Sequence, residues 1–348
     1  CCVAHMPKTK RSLGVFDDRT KHHAYDALTP DVVLDALSDL GLPVDGRLSA
    51  LSSYENRVYQ VMLEDNSSLV AKFYRPERWT DAQILEEHSF ATELMAQDVP
   101  LVGPLTLHGK TLHHAQGFAF SVSPRRGGRM PELDDAEVLE WIGRFIARIH
   151  NVGAAHAFVT RPTLNLDTFG TDSRDWLIAQ NIIPLDQQSA WLEACDQAMV
   201  IAREIFAANP ATHIRLHGDC HPGNILWTPT DLSDGGPHFV DLDDARMGPA
   251  IQDLWMLLSG ERAQRTQQLS MLLDGYEQMR ELNRTELALI EPLRTLRLIH
   301  YSAWLARRKD DPAFAQHFSW FGSSDYWAGQ VHMLIEQCEA MQEAPLYV

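Results

Sequence analysis

The chain has 348 residues, 45% of them hydrophobic and 22% charged, and a formal net charge of −17. That length suits more than one lobe rather than a single small core, and such acidity argues against a partner bound by neutralising nucleic-acid phosphates. Charges interrupt the apolar runs well before the ~20 residues that span a bilayer, and no charged-then-apolar leader opens the chain, so the expectation is a soluble, cytoplasmic protein with no membrane partner.

The five cysteines, Cys1, Cys2, Cys195, Cys220 and Cys338, are few and widely spaced, which speaks for a reducing compartment rather than a disulfide framework. Cys1 to His5 precede Met6 and read as a leftover tag. Residues 7–25 are polar and read as a loose extension. Thr29 and Pro30 then open a helix, as cap and first-turn residue, with Val33, Leu34, Leu37 and Leu40 on one face. Gly41 and Pro43 end it.

Residues 59–63 and 68–74 have strand composition around the turn-like Glu64-Asp65-Asn66-Ser67, so they read as a hairpin. Residues 80–97 carry helical spacing, and residues 105–107 and 117–122 read as two further strands. Arg125-Arg126-Gly127-Gly128-Arg129 reads as a flexible basic linker. From Asp134 onward the pattern is mainly helical. The expected division is residues 1–28 as tag remnant and extension, 29–124 as a nucleotide-binding lobe, and 125–348 as a lobe holding the catalytic loop, the metal site and the substrate region.

The segment His217-Gly218-Asp219-Cys220-His221-Pro222-Gly223-Asn224 precedes the short apolar run Ile225-Leu226-Trp227, and Phe239-Val240 leads into Asp241-Leu242-Asp243-Asp244. A hairpin with an Asp/Asn loop before it and a carboxylate cluster after it suits phosphoryl transfer, which needs metal ions on phosphate oxygens and a group that orients a hydroxyl. Asp241 and the Asn224 amide oxygen suit Mg²⁺, a hard ion that takes oxygen ligands. Asp219 suits the general base. The tight spacing of His217, Cys220 and His221 disfavours zinc, and His217 reads as a packed support of the loop. Asp243 reads as a further ligand or a support of the ligands, Asp244 as structural. The aromatic run of residues 318–327 reads mainly as core.

The segment from His217 to Asn224 resembles the H-G-D-x-H-x-x-N motif of the aminoglycoside phosphotransferase and choline kinase-like family, the counterpart of the H-R-D-x-x-x-x-N loop of protein kinases. Phe239-Val240-Asp241 resembles the strand that delivers the metal-binding Asp, and Ile251-Gln252-Asp253-Leu254-Trp255 the segment whose Asp holds the catalytic loop. Ser53-Tyr54-Glu55-Asn56-Arg57-Val58-Tyr59 and Lys72-Phe73-Tyr74-Arg75-Pro76-Glu77-Arg78-Trp79 are similar to a bacterial subfamily of stress-response Ser/Thr protein kinases.

The resemblance implies an α+β, protein-kinase-like fold with a small β-rich N-lobe and a larger, mostly helical C-lobe. It implies ATP as co-substrate, Mg²⁺ as cofactor and a hydroxyl-bearing acceptor, foremost a protein Ser or Thr, on a monomeric enzyme. Residue by residue, it implies Asp219 as catalytic base, Asn224 and Asp241 on the metal, Lys72 on the ATP phosphates, and Ser53 in the loop where protein kinases carry glycines. Glu87 would pair with Lys72, and Glu86 competes for that role. A small-molecule hydroxyl kinase with a cationic acceptor is the alternative, and a nucleotide-binding pseudokinase a distant third. The chain has no G-x-G-x-x-G before Lys72 and no A-P-E segment.

Overall fold

The computed structural model describes residues 23–348; the tag remnant and most of the N-terminal extension expected from the sequence lie outside them. Helix α1 (Pro30–Asp39) starts where expected, with the Thr29 side chain accepting from the Val32 amide and Pro30 in the first turn. Strands β1 (Val44–Ala50), β2 (Arg57–Leu63) and β3 (Ser68–Phe73) follow, then helix α2 (Asp81–Ala96), β4 (His113–Ala115) and β5 (Phe118–Pro124). They form one antiparallel sheet in the order β1-β2-β3-β5-β4. Phe73 on β3 stacks on Phe120 of β5 with centroids 4.9 Å apart, and Val33 and Leu37 of α1 join that core.

In this region one strand, β1, was not expected from the sequence, and one expectation is corrected. Strand β1 exposes most of its residues, so it lacks the alternation that marks a half-buried strand. Residues 105–107 are not a strand: Leu105 donates to Val122 O and Leu107 pairs only with Lys110. The strand beside β5 is instead β4, whose His113-His114-Ala115 carries no β-branched signal.

The second lobe opens with α3 (Ala136–Gly153), capped by Asp135. It continues through α4 (Asp172–Ala179), α5 (Leu185–Ala208), β6 (Ile214–Leu216), β7 (Ile225–Thr228), β8 (Gly236–Phe239), β9 (Arg246–Gly248), α6 (Gln252–Trp255), α7 (Arg262–Tyr276), α8 (Ile290–Ala306), α9 (Phe314–His317) and α10 (Ser324–Ala340). β6 pairs with β9 and β7 with β8, both antiparallel. The large core runs from α3 through α5, α7 and α8, and takes in Phe90 and Leu94 of α2, so α2 is packed on both lobes. No helix of the described residues is long and apolar enough to cross a membrane. The segment read as a flexible linker is tied down at its end, where Arg129 exchanges two backbone hydrogen bonds with Trp227 on β7 (3.0 and 2.7 Å).

Candidate active site

The hairpin β7–β8 has its open end beside the junction of the two lobes, and the polar residues singled out in the sequence converge there. They line one cleft of ≈ 1340 Å³, whose walls include Ser53, Lys72, Glu87, Asp219, Asn224 and Asp241. That volume exceeds the usual 300–1,000 Å³ of a small-molecule pocket, which leaves room for a nucleotide and an acceptor together.

The loop with Asp219 is fixed by Asp253 at the start of α6. Its buried carboxylate accepts from the amides of His217 (2.8 Å) and Gly218 (2.9 Å) and pairs with His150 Nε2 (3.1 Å). Burial opposes ionisation of Asp253, yet these hydrogen bonds and the histidines hold its pKa below the usual carboxylate value. His217 is fully buried and its Nε2 lies 2.9 Å from Val240 O, which ties the loop to the residue before Asp241. Gly218 sits at φ +85°, and a Cβ there would stand 2.2 Å from Asp244 O. This explains why the chain carries glycine where protein kinases carry arginine. The Asn224 amide nitrogen donates to Asp219 O at 2.9 Å, which leaves the Asn224 amide oxygen for another partner.

Facing this loop, Lys72 Nζ lies 2.9 Å from Asp241 Oδ1, 3.2 Å from Asp243 Oδ1 and 3.5 Å from Glu87 Oε1. Burial works against its charge, but the carboxylates of Asp241, Asp243 and Glu87 prevail and hold Lys72 well above the ordinary lysine pKa. The ambiguity between the two glutamates ends here. Glu86 points away and accepts from the amides of Val159, Thr160 and Arg161 at 2.6 to 2.9 Å, whereas Glu87 is buried beside Lys72. A helix turn puts neighbouring residues about 100° apart, so only one of the pair can face the sheet.

Asp241 has φ 63°, ψ 71°, a left-handed conformation that costs a non-glycine residue on the order of 1 kcal/mol and that clusters at functional sites. Asp243 is buried, and its Oδ1 has no hydrogen-bond partner among the described residues apart from the ion pair with Lys72. The groups gathered here, the carboxylates of Asp241 and Asp243 and the amide oxygen of Asn224, are all oxygen donors, and buried Asp243 Oδ1 has only the Lys72 ammonium beside it. This set fits a hard divalent cation.

Some residues around the site carried no sequence signal, among them Arg161, Arg297 and Asp311, while Tyr54, Glu55 and Arg78 entered only as parts of longer matching segments. Arg161, buried, donates to Glu87 (3.0 Å) and to the carbonyls of Asp243 (3.0 Å) and Ala245 (2.7 Å), so it clamps α2 to the Asp241 segment. Arg78 binds Asp243 and, at 2.9 Å, Asp244; Arg246 also holds Asp244. The Ser52-Ser53-Tyr54 loop is docked on the second lobe: Tyr54 lies edge-on to Phe318 (4.9 Å) and Trp304 (5.7 Å) and donates to Asp311 (3.2 Å). Glu55 accepts from Trp304 Nε1 (2.9 Å) and pairs with Arg308 and Arg75. Thus Phe318 encloses this loop, while Trp327 in the same aromatic run is core, as expected, against Trp191. Arg297 Nη1 stands 2.8 Å from Asp219 Oδ1. Sequence spacing alone does not pair residues as far apart as Arg161 and Glu87 or Arg297 and Asp219, and a single basic residue is a solvated residue by default.

The model of the phosphotransferase enzyme family matches residues 47–289. Stress response kinase A of Escherichia coli (strain K12) is 46% identical over 322 residues, which cover 92% of this chain and 96% of that protein. The serine/threonine protein kinase RdoA of Salmonella typhimurium is 45% identical over the same shares. Among solved structures, the amicoumacin kinase hAmiN in complex with AMP-PNP, Ca²⁺ and Ami superposes with a TM-score of 0.66 at 20% identity, over 90% of this chain and 94% of that one.

Proposed function

The chain belongs to the phosphotransferase enzyme family and is a kinase, and from that premise we propose that it transfers the γ-phosphoryl group of MgATP to a serine or threonine hydroxyl of a protein. The observation that carries the reading is the single cleft in which Lys72, Glu87 and Asp241 face the loop of Asp219 and Asn224. The two lobes, residues 29–124 and 125–348, close on the nucleotide from either side.

In this mechanism Lys72 contacts the nucleotide phosphates and Glu87, itself braced by Arg161, fixes its direction. Ser53 lies in the loop that covers the phosphates, and docking of Tyr54 on the second lobe keeps that loop closed and water out. Asn224 and Asp241 would hold Mg²⁺, with Asp243 beside them, and the ion would supply charge neutralisation of the phosphates. Asp219 accepts the proton of the attacking hydroxyl as the new O–P bond forms, and the bond from the γ-phosphorus to the bridging oxygen breaks to release ADP with the electron pair. Asp253 holds the Asp219 loop in place.

A protein acceptor is supported by 46% identity over nearly the full length of a stress response kinase and by the name of the Salmonella relative. The test is incubation with γ-labelled ATP, Mg²⁺ and, in parallel, a generic protein acceptor, a choline-like alcohol and an aminoglycoside. Label on the protein is the expected result; label on the small alcohols alone would overturn the protein-kinase reading.

A further inference from the structure

The side of the cleft next to Asp219 is arginine-rich, in a chain whose net charge is −17. Helix α8 brings Arg297, Tyr301 and Trp304 to the cleft, with Arg307 as its C-cap and Arg308 just beyond it. Arg297 lies 2.8 Å from Asp219 Oδ1, which places it where the accepting hydroxyl arrives. Asp219 is its one ion-pair partner among the described residues, and Arg307, exposed, makes no ion pair there.

Two of the aromatic rings that line the cleft are already covered by the protein's own guanidinium groups. Arg308 stands 4.3 Å from the Trp304 ring and Arg246 4.8 Å from Phe169. At those two rings a cationic acceptor would meet like charges. An anion would meet planar donors suited to carboxylate and phosphate.

We infer that the hydroxyl acted on is flanked by anionic groups, held by Arg297 next to the target and by Arg307 further along the acceptor. This inference rests on the protein-kinase reading, so the acceptor is an acidic peptide segment. Ten residues separate the two arginines, about 15 Å of helix, which an extended peptide spans in about four or five residues. A flanking carboxylate or phosphate competes with Asp219 for Arg297, and so its arrival frees Asp219 Oδ1 to take the proton of the hydroxyl.

The experiment compares peptides with one central serine whose neighbours are Glu, phosphoserine, Ala or Lys, on wild type and on Arg307→Ala and Arg307→Glu. The inference expects the anionic peptides to exceed the Ala peptide in kcat/KM by about tenfold, the scale of one charged hydrogen bond. Arg307→Ala should remove the advantage of an acidic residue four or five positions from the serine, mainly through KM for the peptide. Arg307→Glu should turn that preference towards Lys, which a variant that had merely lost structure would not do. Equal rates on Glu, Ala and Lys peptides would overturn the inference and leave the protein-kinase reading intact. Label on choline or an aminoglycoside, with none on any peptide, would overturn that reading and the inference with it.

Discussion

Lys72 Nζ lies 2.9 Å from Asp241 Oδ1, so the residue assigned to the ATP phosphates and the residue assigned to the metal meet directly across the cleft. Removing the ammonium leaves Glu87, Asp241 and Asp243 facing one another without it. Lys72→Ala should therefore weaken nucleotide binding by about ten- to a hundredfold, from the loss of charged hydrogen bonds worth ~1.5–3 kcal/mol. Nucleotide-induced thermal shift reads this directly, and an unchanged shift would contradict the assignment.

The two adjacent glutamates should separate cleanly. Glu87→Gln removes the partner of Lys72 and Arg161 and should raise KM for ATP severalfold. Glu86→Gln should leave KM for ATP alone and lower stability by about 1 kcal/mol, because its carboxylate accepts the hydrogen bonds of residues 159–161. Steady-state kinetics and urea midpoints on both variants make the comparison; a raised KM for the Glu86 variant and not for the Glu87 variant would reverse the roles.

The loop itself is sensitive at two points. Gly218→Ala forces a Cβ to within 2.2 Å of Asp244 O at φ +85°, and should cost about 2–4 kcal/mol of stability and most of the activity. Asp253→Asn keeps the shape but loses one of two acceptor oxygens for the His217 and Gly218 amides. Its effect should fall on kcat, by about tenfold or more, with the affinity for nucleotide little changed. Equal losses of kcat and nucleotide affinity would point to a general unfolding instead.

Stability should fall on mild acidification. His88, between Tyr74 and Thr111, is buried, and His300, stacked on Phe169 at 4.0 Å, is half-buried. Burial, and then Lys72 and Arg161 for His88 or Arg246 for His300, pulls each pKa down to about 3. The unfolded chain takes up these protons below about pH 6.5 and the folded chain does not until about pH 3. The stability they contribute is thus fully present above pH 6.5 and is lost as pH falls through that window, at roughly 1 kcal/mol per group per pH unit. Urea midpoints at pH 7.5 and 5.5 test this, with His88→Gln expected to lessen the slope; a midpoint that does not move would contradict it.

Much of the site was legible because its residues lie in short, chemically dense segments. The Asp219 loop, Asp241 and Asp253 sit within 36 positions of one another and flank a recognisable hairpin, and Lys72 lies in an apolar strand. The choice between Glu86 and Glu87 was not legible, since it turns on a rotation of about 100° set by how α2 packs between the lobes. Arg161, Arg297 and Asp311 were invisible for a different reason: each acts on a partner far away in the chain, and as a single charged residue each reads as solvated surface. Strand β1 and the short β4 escaped because neither shows the alternation of a half-buried strand.

The central claim is that Asp219 takes the proton of an acceptor hydroxyl as ATP is cleaved. Single-turnover transfer of label from γ-labelled ATP to the best peptide acceptor, with wild type and Asp219→Asn compared at saturating MgATP, tests it most directly. The account predicts that the variant binds nucleotide as wild type does and transfers label about 10²- to 10⁴-fold more slowly. Transfer at the wild-type rate by the variant would contradict it.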